Sequence, residues 1–356
     1  MRYWTVVTPI VSVLAMAALL VVTPTVPLLV IAGFLLAGSV LAAVHHAEVI
    51  ALRVGEPFGS LVLAVAVTVI EVALIVTLVV AGGPATTTLA RDTVFAAVMI
   101  TLNGIVGISL LVAALRHNVV HFRSKGTSSA LATVATLATL CLVLPTFTTS
   151  EPGPFFTPGQ LAFAAVASLS LYLLFVFVQT IRHRDYFLPP EGVAPGSDAH
   201  AVAPSNREAA GSLALLLVSL VAVVGLAKVE STPIEDMVRA IGAPQSAVGV
   251  VIALLVLLPE TLAAVRNARR NRMQTSFNLA LGSAMASIGL TIPAMAVASI
   301  WLPGPLTLGL DATQIVLLFI TMLVAAVTIL PGRSTVQAAG VHLVLLLTFL
   351  LLAFSP

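Results

Sequence analysis

Charge is what this chain has least of. Among 356 residues, 16 are Lys or Arg and 14 are Asp or Glu, 8% in all, where a soluble globular domain carries about 25%. That leaves too little polar surface to clothe soluble domains of this length. A net charge of +2 also supplies no basic stripe for nucleic acid, whose binding rests on neutralising phosphates. The single cysteine, Cys141, has no partner for an internal disulfide, and it sits in an apolar run that says nothing of redox compartment. What fills the composition instead is hydrophobic: 59% of the residues, with a mean hydropathy of +1.13. The chain is a polytopic membrane protein.

A helix needs about 20 mostly apolar residues to cross the hydrocarbon core. Eleven such runs are expected: 6–22, 26–44, 58–82, 93–115, 128–147, 161–181, 211–226, 247–265, 275–302, 312–330 and 336–354. They do not alternate in polarity as strands of a membrane barrel do, so the predicted fold class is all-α. The first run, with Arg2 before it and Ala15-Met16-Ala17 within it, also has the form of a cleaved signal peptide. Its apolar character continues past Ala17 to Val22, which favours a retained helix.

Cytoplasmic loops carry an excess of Lys and Arg. Taking the amino end and every second connection collects Arg2, Arg53, Arg116, Arg123, Lys125, Arg182, Arg184, Arg207, Arg266, Arg269, Arg270, Arg272 and Arg333. The opposite side holds Arg91, Lys228 and Arg239. This bias predicts an inner (cytoplasmic) membrane protein with its amino terminus in the cytoplasm and its carboxyl terminus outside. The longest polar stretch, 182–210, is rich in Pro and Gly and reads as a cytoplasmic linker. It separates six runs from five.

An ionisable side chain deep in a membrane costs about 2.5–3.5 kcal/mol on insertion scales and marks a pathway or site. Two acids stand in that position. Glu71 lies about 20 Å along its helix from Phe58, and Glu260 follows Leu257-Leu258-Pro259 with apolar sequence on both sides. Arg266 is about 9 Å further along the helix from Glu260. Five runs separate the two glutamates, so their helices run in opposite directions, which is the arithmetic of an inverted repeat. The expected organisation is an extra helix in 1–25, a first repeat in 26–181, the linker 182–210 and a second repeat in 211–356. Folding one repeat on the other would bring the glutamates together at mid-membrane.

Pro259 should kink its helix and free a carbonyl, which hydrocarbon tolerates only where a helix, water or ion satisfies it. Carboxylates, loose carbonyls and hydroxyls together form an oxygen cage suited to a hard cation such as Ca²⁺. Asn103 and Ser283, in the small-residue segments Asn103-Gly104-Ile105-Val106-Gly107 and Gly282-Ser283-Ala284-Met285-Ala286-Ser287, are candidate neutral donors facing the glutamates. Gly282 and Ala286 fit close helix packing. His45-His46-Ala47-Glu48 lacks the one-turn spacing of a two-histidine zinc motif and better suits a helix-end surface or proton access. His117 and His121, beside Arg116, Arg123 and Lys125, suit a loop facing anionic lipid.

Gly55-Glu56-Pro57-Phe58-Gly59-Ser60 leading into Thr68-Val69-Ile70-Glu71 resembles the first signature of the ChaA-type calcium/cation–proton antiporters, a branch of the CAX family. Leu258-Pro259-Glu260 with Ser276–Pro293 resembles the second, and Arg91-Asp92-Thr93 extends the similarity. The resemblance implies an eleven-helix exchanger of two inverted five-helix repeats behind an extra helix. Glu71 and Glu260 would be its cation- and proton-binding carboxylates, hence its metal ligands, and Glu56 a cytoplasmic-side acid guiding the cation. Thr68 and Leu257 stand where the wider family has asparagine, so Na⁺ and K⁺ are admitted beside Ca²⁺. No cofactor is implied, and the partners are inorganic cations, protons and the lipid bilayer; a homo-oligomer is compatible with all of this. The expected function is exchange of cytoplasmic Ca²⁺ for external protons rather than an enzyme reaction. A sodium-driven calcium exchanger of the same fold, a cation channel and a membrane-embedded enzyme are the alternatives.

Overall fold

A computed structural model describes residues 3–19, 21–22, 25–55, 58–82, 87–189, 204–240, 242–302 and 304–355. They form helices α1 (Tyr3–Leu19), α2 (Val26–Val54), α3 (Phe58–Gly82), α4 (Leu89–His117), α5 (Ser124–Phe147) and α6 (Pro158–Arg182). These are followed by α7 (Asn206–Ala240), α8 (Ser246–Val256), α9 (Leu258–Arg269), α10 (Met273–Ala298), α11 (Ala312–Ile329) and α12 (Val336–Phe354). Among the described residues nine helices are long and apolar enough to cross a membrane, and a tenth crossing is the bent pair α8–α9. The apolar α1 is shorter, at 17 residues.

Helix ends follow local chemistry. Thr157 and Gln160 form a reciprocal capping box at the start of α6, and Asp311 and Gln314 form another at α11, each satisfying orphan backbone donors. Gly55, at φ +76°, closes α2 in a conformation that disfavours a side chain. Two helices run far beyond the apolar runs expected for them. The helix expected to end at Val44 continues through His45, Glu48 and Arg53 to Val54, and α7 extends well beyond 211–226 at both ends. Backbone hydrogen bonding continues past the hydrocarbon, so polar residues at a membrane face do not stop a helix.

At the centre stands α4. Apart from Arg91, every side chain from Leu89 to Gly107 is buried, against α8, α9, α10 and α12. A π-helical turn, Ile100–Ile105, interrupts it. The longest packing seam joins α2 to α7, with α1 lying along both. Helix α1 is pinned there by Ser12 donating to the Leu35 carbonyl at 3.3 Å and by His46 Nε2 to the Thr5 carbonyl at 2.9 Å. Large apolar side chains such as Phe34, Phe163, Val316 and Leu347 are exposed on the outside, as lipid-facing positions are. The apolar runs did not foretell one small element: β1 (Val120–His121) pairs antiparallel with β2 (Arg333–Ser334), joining the α4–α5 and α11–α12 connections.

Candidate functional site

Glu71 sits mid-way along α3 and is 2% exposed. Its Oε2 accepts hydrogen bonds from Ser287 Oγ at 3.2 Å and Thr291 Oγ1 at 3.1 Å, both on α10. Those donors lie one turn apart, on either side of a step in the helix at Leu290. Pro293 has no N–H to give the Gly289 carbonyl, which accounts for a step at that point. The second oxygen of Glu71, Oε1, is buried and has no protein partner. One side of this carboxylate is thus fixed by two hydroxyls and the other is free for a ligand or a proton.

Pro259 does what a proline does inside a helix. Lacking an N–H for the Leu255 carbonyl, it separates α8 from α9, and the two segments meet at 52°. Glu260 falls in the first turn of α9, where the helix carries partial positive charge. Its side chain is partly exposed, but Oε2 is buried without a partner. Helix α9 packs against α2, which carries Glu48, and α8 packs against α3, which carries Glu71.

The other residues singled out in the sequence distribute unevenly around this centre. Thr68 is buried one turn before Glu71. Ser283 lies a turn before Ser287 on α10, and the hydroxyls that reach Glu71 are those of Ser287 and Thr291. Glu56 falls outside the described residues. Asn103, expected to face the glutamates, turns elsewhere. Its Nδ2 donates to Thr321 on α11 at 2.9 Å, and its Oδ1 lies 3.2 Å from His342 Nδ1 on α12. Because Asn103 Oδ1 can only accept, His342 carries its proton on Nδ1, and Nε2 accepts from Thr328 at 3.1 Å. This closed network sits on the π-helical turn of α4 and is buried throughout. Replacing His342 with Leu strands Asn103 Oδ1 and the Thr328 hydroxyl. Unfolding of the purified protein is expected to need about 1–2 kcal/mol less, read as a Tm several degrees lower in detergent.

His45 and His46 also belong to the framework. The ring of His45 lies 6.5 Å from that of Trp4 between centroids, so both imidazoles hold α1 against α2. Among the described residues no three His, Cys, Asp or Glu side chains come together as a metal centre. Sequence patterns did not single out Ser287 and Thr291 as the partners of Glu71, or Glu48 as a neighbour of Glu260. For Glu48 a signal existed, a carboxylate near the end of an apolar run. For the two hydroxyls the signal was their one-turn spacing with Ser283 along a single face of α10.

The sodium/calcium exchanger protein family model matches residues 24–181 and 211–355. The y4hA protein of Sinorhizobium fredii, named as an ionic transporter, is 47% identical over 332 residues, which is 93% of this chain and 90% of that protein. The sodium-potassium/proton antiporter ChaA of Escherichia coli is 32% identical over 329 residues, covering 92% of this chain and 88% of ChaA. Among solved structures, an H⁺/Ca²⁺ exchanger CAX superposes with a TM-score of 0.70 at 16% identity, over 100% of this chain and 89% of that one; at that identity the likeness speaks for the fold. A membrane-embedded framework of apolar helices, two acids that each hold a buried carboxylate oxygen and sequence similarity along nearly the whole length agree, and the chain belongs to the sodium/calcium exchanger family of the calcium/cation antiporter superfamily.

Proposed function

We propose that this antiporter exchanges cytoplasmic cations, Ca²⁺ together with Na⁺ or K⁺, for external protons at a site built on Glu71 and Glu260. The observation that carries this reading is the pair of buried carboxylate oxygens without protein partners, Glu71 Oε1 and Glu260 Oε2, on α3 and on the bent α8–α9 pair that packs against it. A bare buried charge is costly, so each carboxylate holds either a cation or a proton. Two such groups form a neutral site with one Ca²⁺, with one monovalent cation and one proton, or with two protons. Each neutral state can pass through an occluded conformation, whereas the empty dianion cannot. Mutually exclusive occupancy is what turns two competing ligands into obligate exchange.

The layout of helices supports an inverted repeat. Helices α2 to α6 match α7 to α12, with α8 and α9 together as the partner of α3, so eleven crossings result when α1 is counted. Glu71 from one repeat then bonds to Ser287 and Thr291 from the other, and the reciprocal position belongs to Glu260. Charge bias in the loops places the amino terminus and the 182–210 linker in the cytoplasm. Thr68 and Ser283 are assigned to the rim of the site, and Glu56 to guiding the cation. The apolar Leu257 before Pro259-Glu260 favours protons over Na⁺ as the driving ion, because a sodium site wants more hydroxyl and amide oxygens than this one offers.

Everted membrane vesicles with a pH-sensitive dye test the reading. Adding Ca²⁺, Na⁺ or K⁺ should collapse an imposed proton gradient, and the order of effectiveness gives the cation preference. A flux that persists without moving protons would make the protein a channel or a sodium-driven exchanger. Glu48 provides a finer check. As an exposed acid at the Glu260 side it should concentrate cations at the entrance, so Glu48→Gln is expected to slow exchange about tenfold at low cation concentration. The defect should vanish in high salt or saturating cation; a defect independent of both would remove Glu48 from the entry path.

A further inference from the structure

A groove of about 620 Å³ opens between α11 and α12 beside the β1–β2 pair. Its wall is apolar and exposed, formed by Leu323, Val327, Val341 and Val119, as a surface lying against acyl chains would be. Its end is polar and of one character. Arg333 is exposed there, and among the described residues no carboxylate stands within ion-pair distance of it. Ser334 is 5% exposed, lines the groove, and its Oγ has no hydrogen-bond partner. Helix α12 begins at the same place, and its N-cap Thr335 makes no side-chain cap. The first amides of that helix therefore lack partners from within it, and the helix dipole adds partial positive charge. His121, paired with Arg333 across the small sheet, places the Arg116–Lys125 cationic connection alongside.

We infer that this groove binds an acidic phospholipid, with its phosphate held by Arg333, Ser334 Oγ and the amino end of α12 and an acyl chain lying along Leu323, Val327 and Val341. Each component points to the same ligand. A helix amino terminus with a free arginine and an orphaned hydroxyl receives a phosphate. An apolar trough running into the lipid-facing surface receives a chain. A free inorganic anion would leave the trough empty, and a zwitterionic lipid would bring an ammonium group towards Arg333. Under the orientation proposed above, the bound lipid belongs to the cytoplasmic leaflet, where it would tie the α4–α5 and α11–α12 connections together. The lipid site stands whether or not the two-glutamate reading is correct.

The full chain, purified and delipidated in detergent, is tested by thermal unfolding and by native mass spectrometry of retained lipid. The probes are vesicles of phosphatidylethanolamine alone, the same vesicles with phosphatidylglycerol, and inorganic phosphate. Phosphatidylglycerol should raise the Tm and remain bound, while the other two do neither. Arg333→Gln should weaken that binding roughly fivefold. Val327→Trp, which fills the trough and leaves Arg333 in place, should abolish retention. Both altered side chains are exposed, so both variants should unfold like the parent protein without lipid. Equal retention of the two lipids, an equal shift with inorganic phosphate, or unchanged binding by both variants would overturn the assignment.

Discussion

Glu71→Gln is expected to abolish cation-driven proton movement while leaving the protein folded, and Glu260→Gln is expected to do the same. An amide has the shape of a carboxyl, so Gln at position 71 can still accept from Ser287 and Thr291, and the helix packing around it should survive. What the substitution removes is the charge and the exchangeable proton together. Taking one partner from a buried charge pair costs about 3–5 kcal/mol, which corresponds to a loss of at least roughly a hundredfold in apparent cation affinity. The proton half of the cycle fails as well, because an amide cannot carry a proton across in place of the cation. Dye-loaded everted vesicles should therefore show no response at any cation concentration, with no difference between either single variant and the double. Non-additivity of that kind is expected of two groups acting as one unit. Exchange surviving in either single variant would show that its carboxylate is not part of the site.

Much of this framework could be read from the chain because hydrocarbon is an exacting solvent. Every crossing needs a long apolar run, so the runs stand out, and an acid such as Glu71 or Glu260 inside one is conspicuous. Proline at 259 announces a break in any helix, and the break is there. The remaining features depend on which helix faces which. Asn103 occupies a suggestive polar position, yet α11 and α12 supply its partners, 218 and 239 residues away. Ser287 and Thr291 look like ordinary small residues in a packing face until α3 brings Glu71 against them from more than 200 residues away. Glu48 was masked by its neighbours, two histidines that serve the α1–α2 contact. Helix ends were misplaced for a simpler reason: the apolar run measures the membrane, whereas the helix ends where capping chemistry or a glycine stops it, as at Gly55.

The hydroxyl pair on α10 gives the site an asymmetry that can be measured. Glu71 has two O–H donors directed at one oxygen, whereas among the described residues the buried Oε2 of Glu260 has none and its helix start provides the compensating positive field. Hydrogen bonds to a charged group are worth about 1.5–3 kcal/mol each. They favour the ionised carboxylate that a cation requires, and their lone pairs are also available to the cation itself. Removing both with Ser287→Ala and Thr291→Ala should weaken apparent cation affinity by about a hundredfold to ten-thousandfold, with the single substitutions in between. Maximal exchange at saturating cation should fall much less, because both carboxyls remain to carry protons back. Thr291→Ser keeps a hydroxyl at the same depth and should restore most of the affinity lost in Thr291→Ala. An unchanged cation dependence in the double variant would mean that the two hydroxyls merely anchor α10 to α3, and that the cation meets Glu71 only from its Oε1 side.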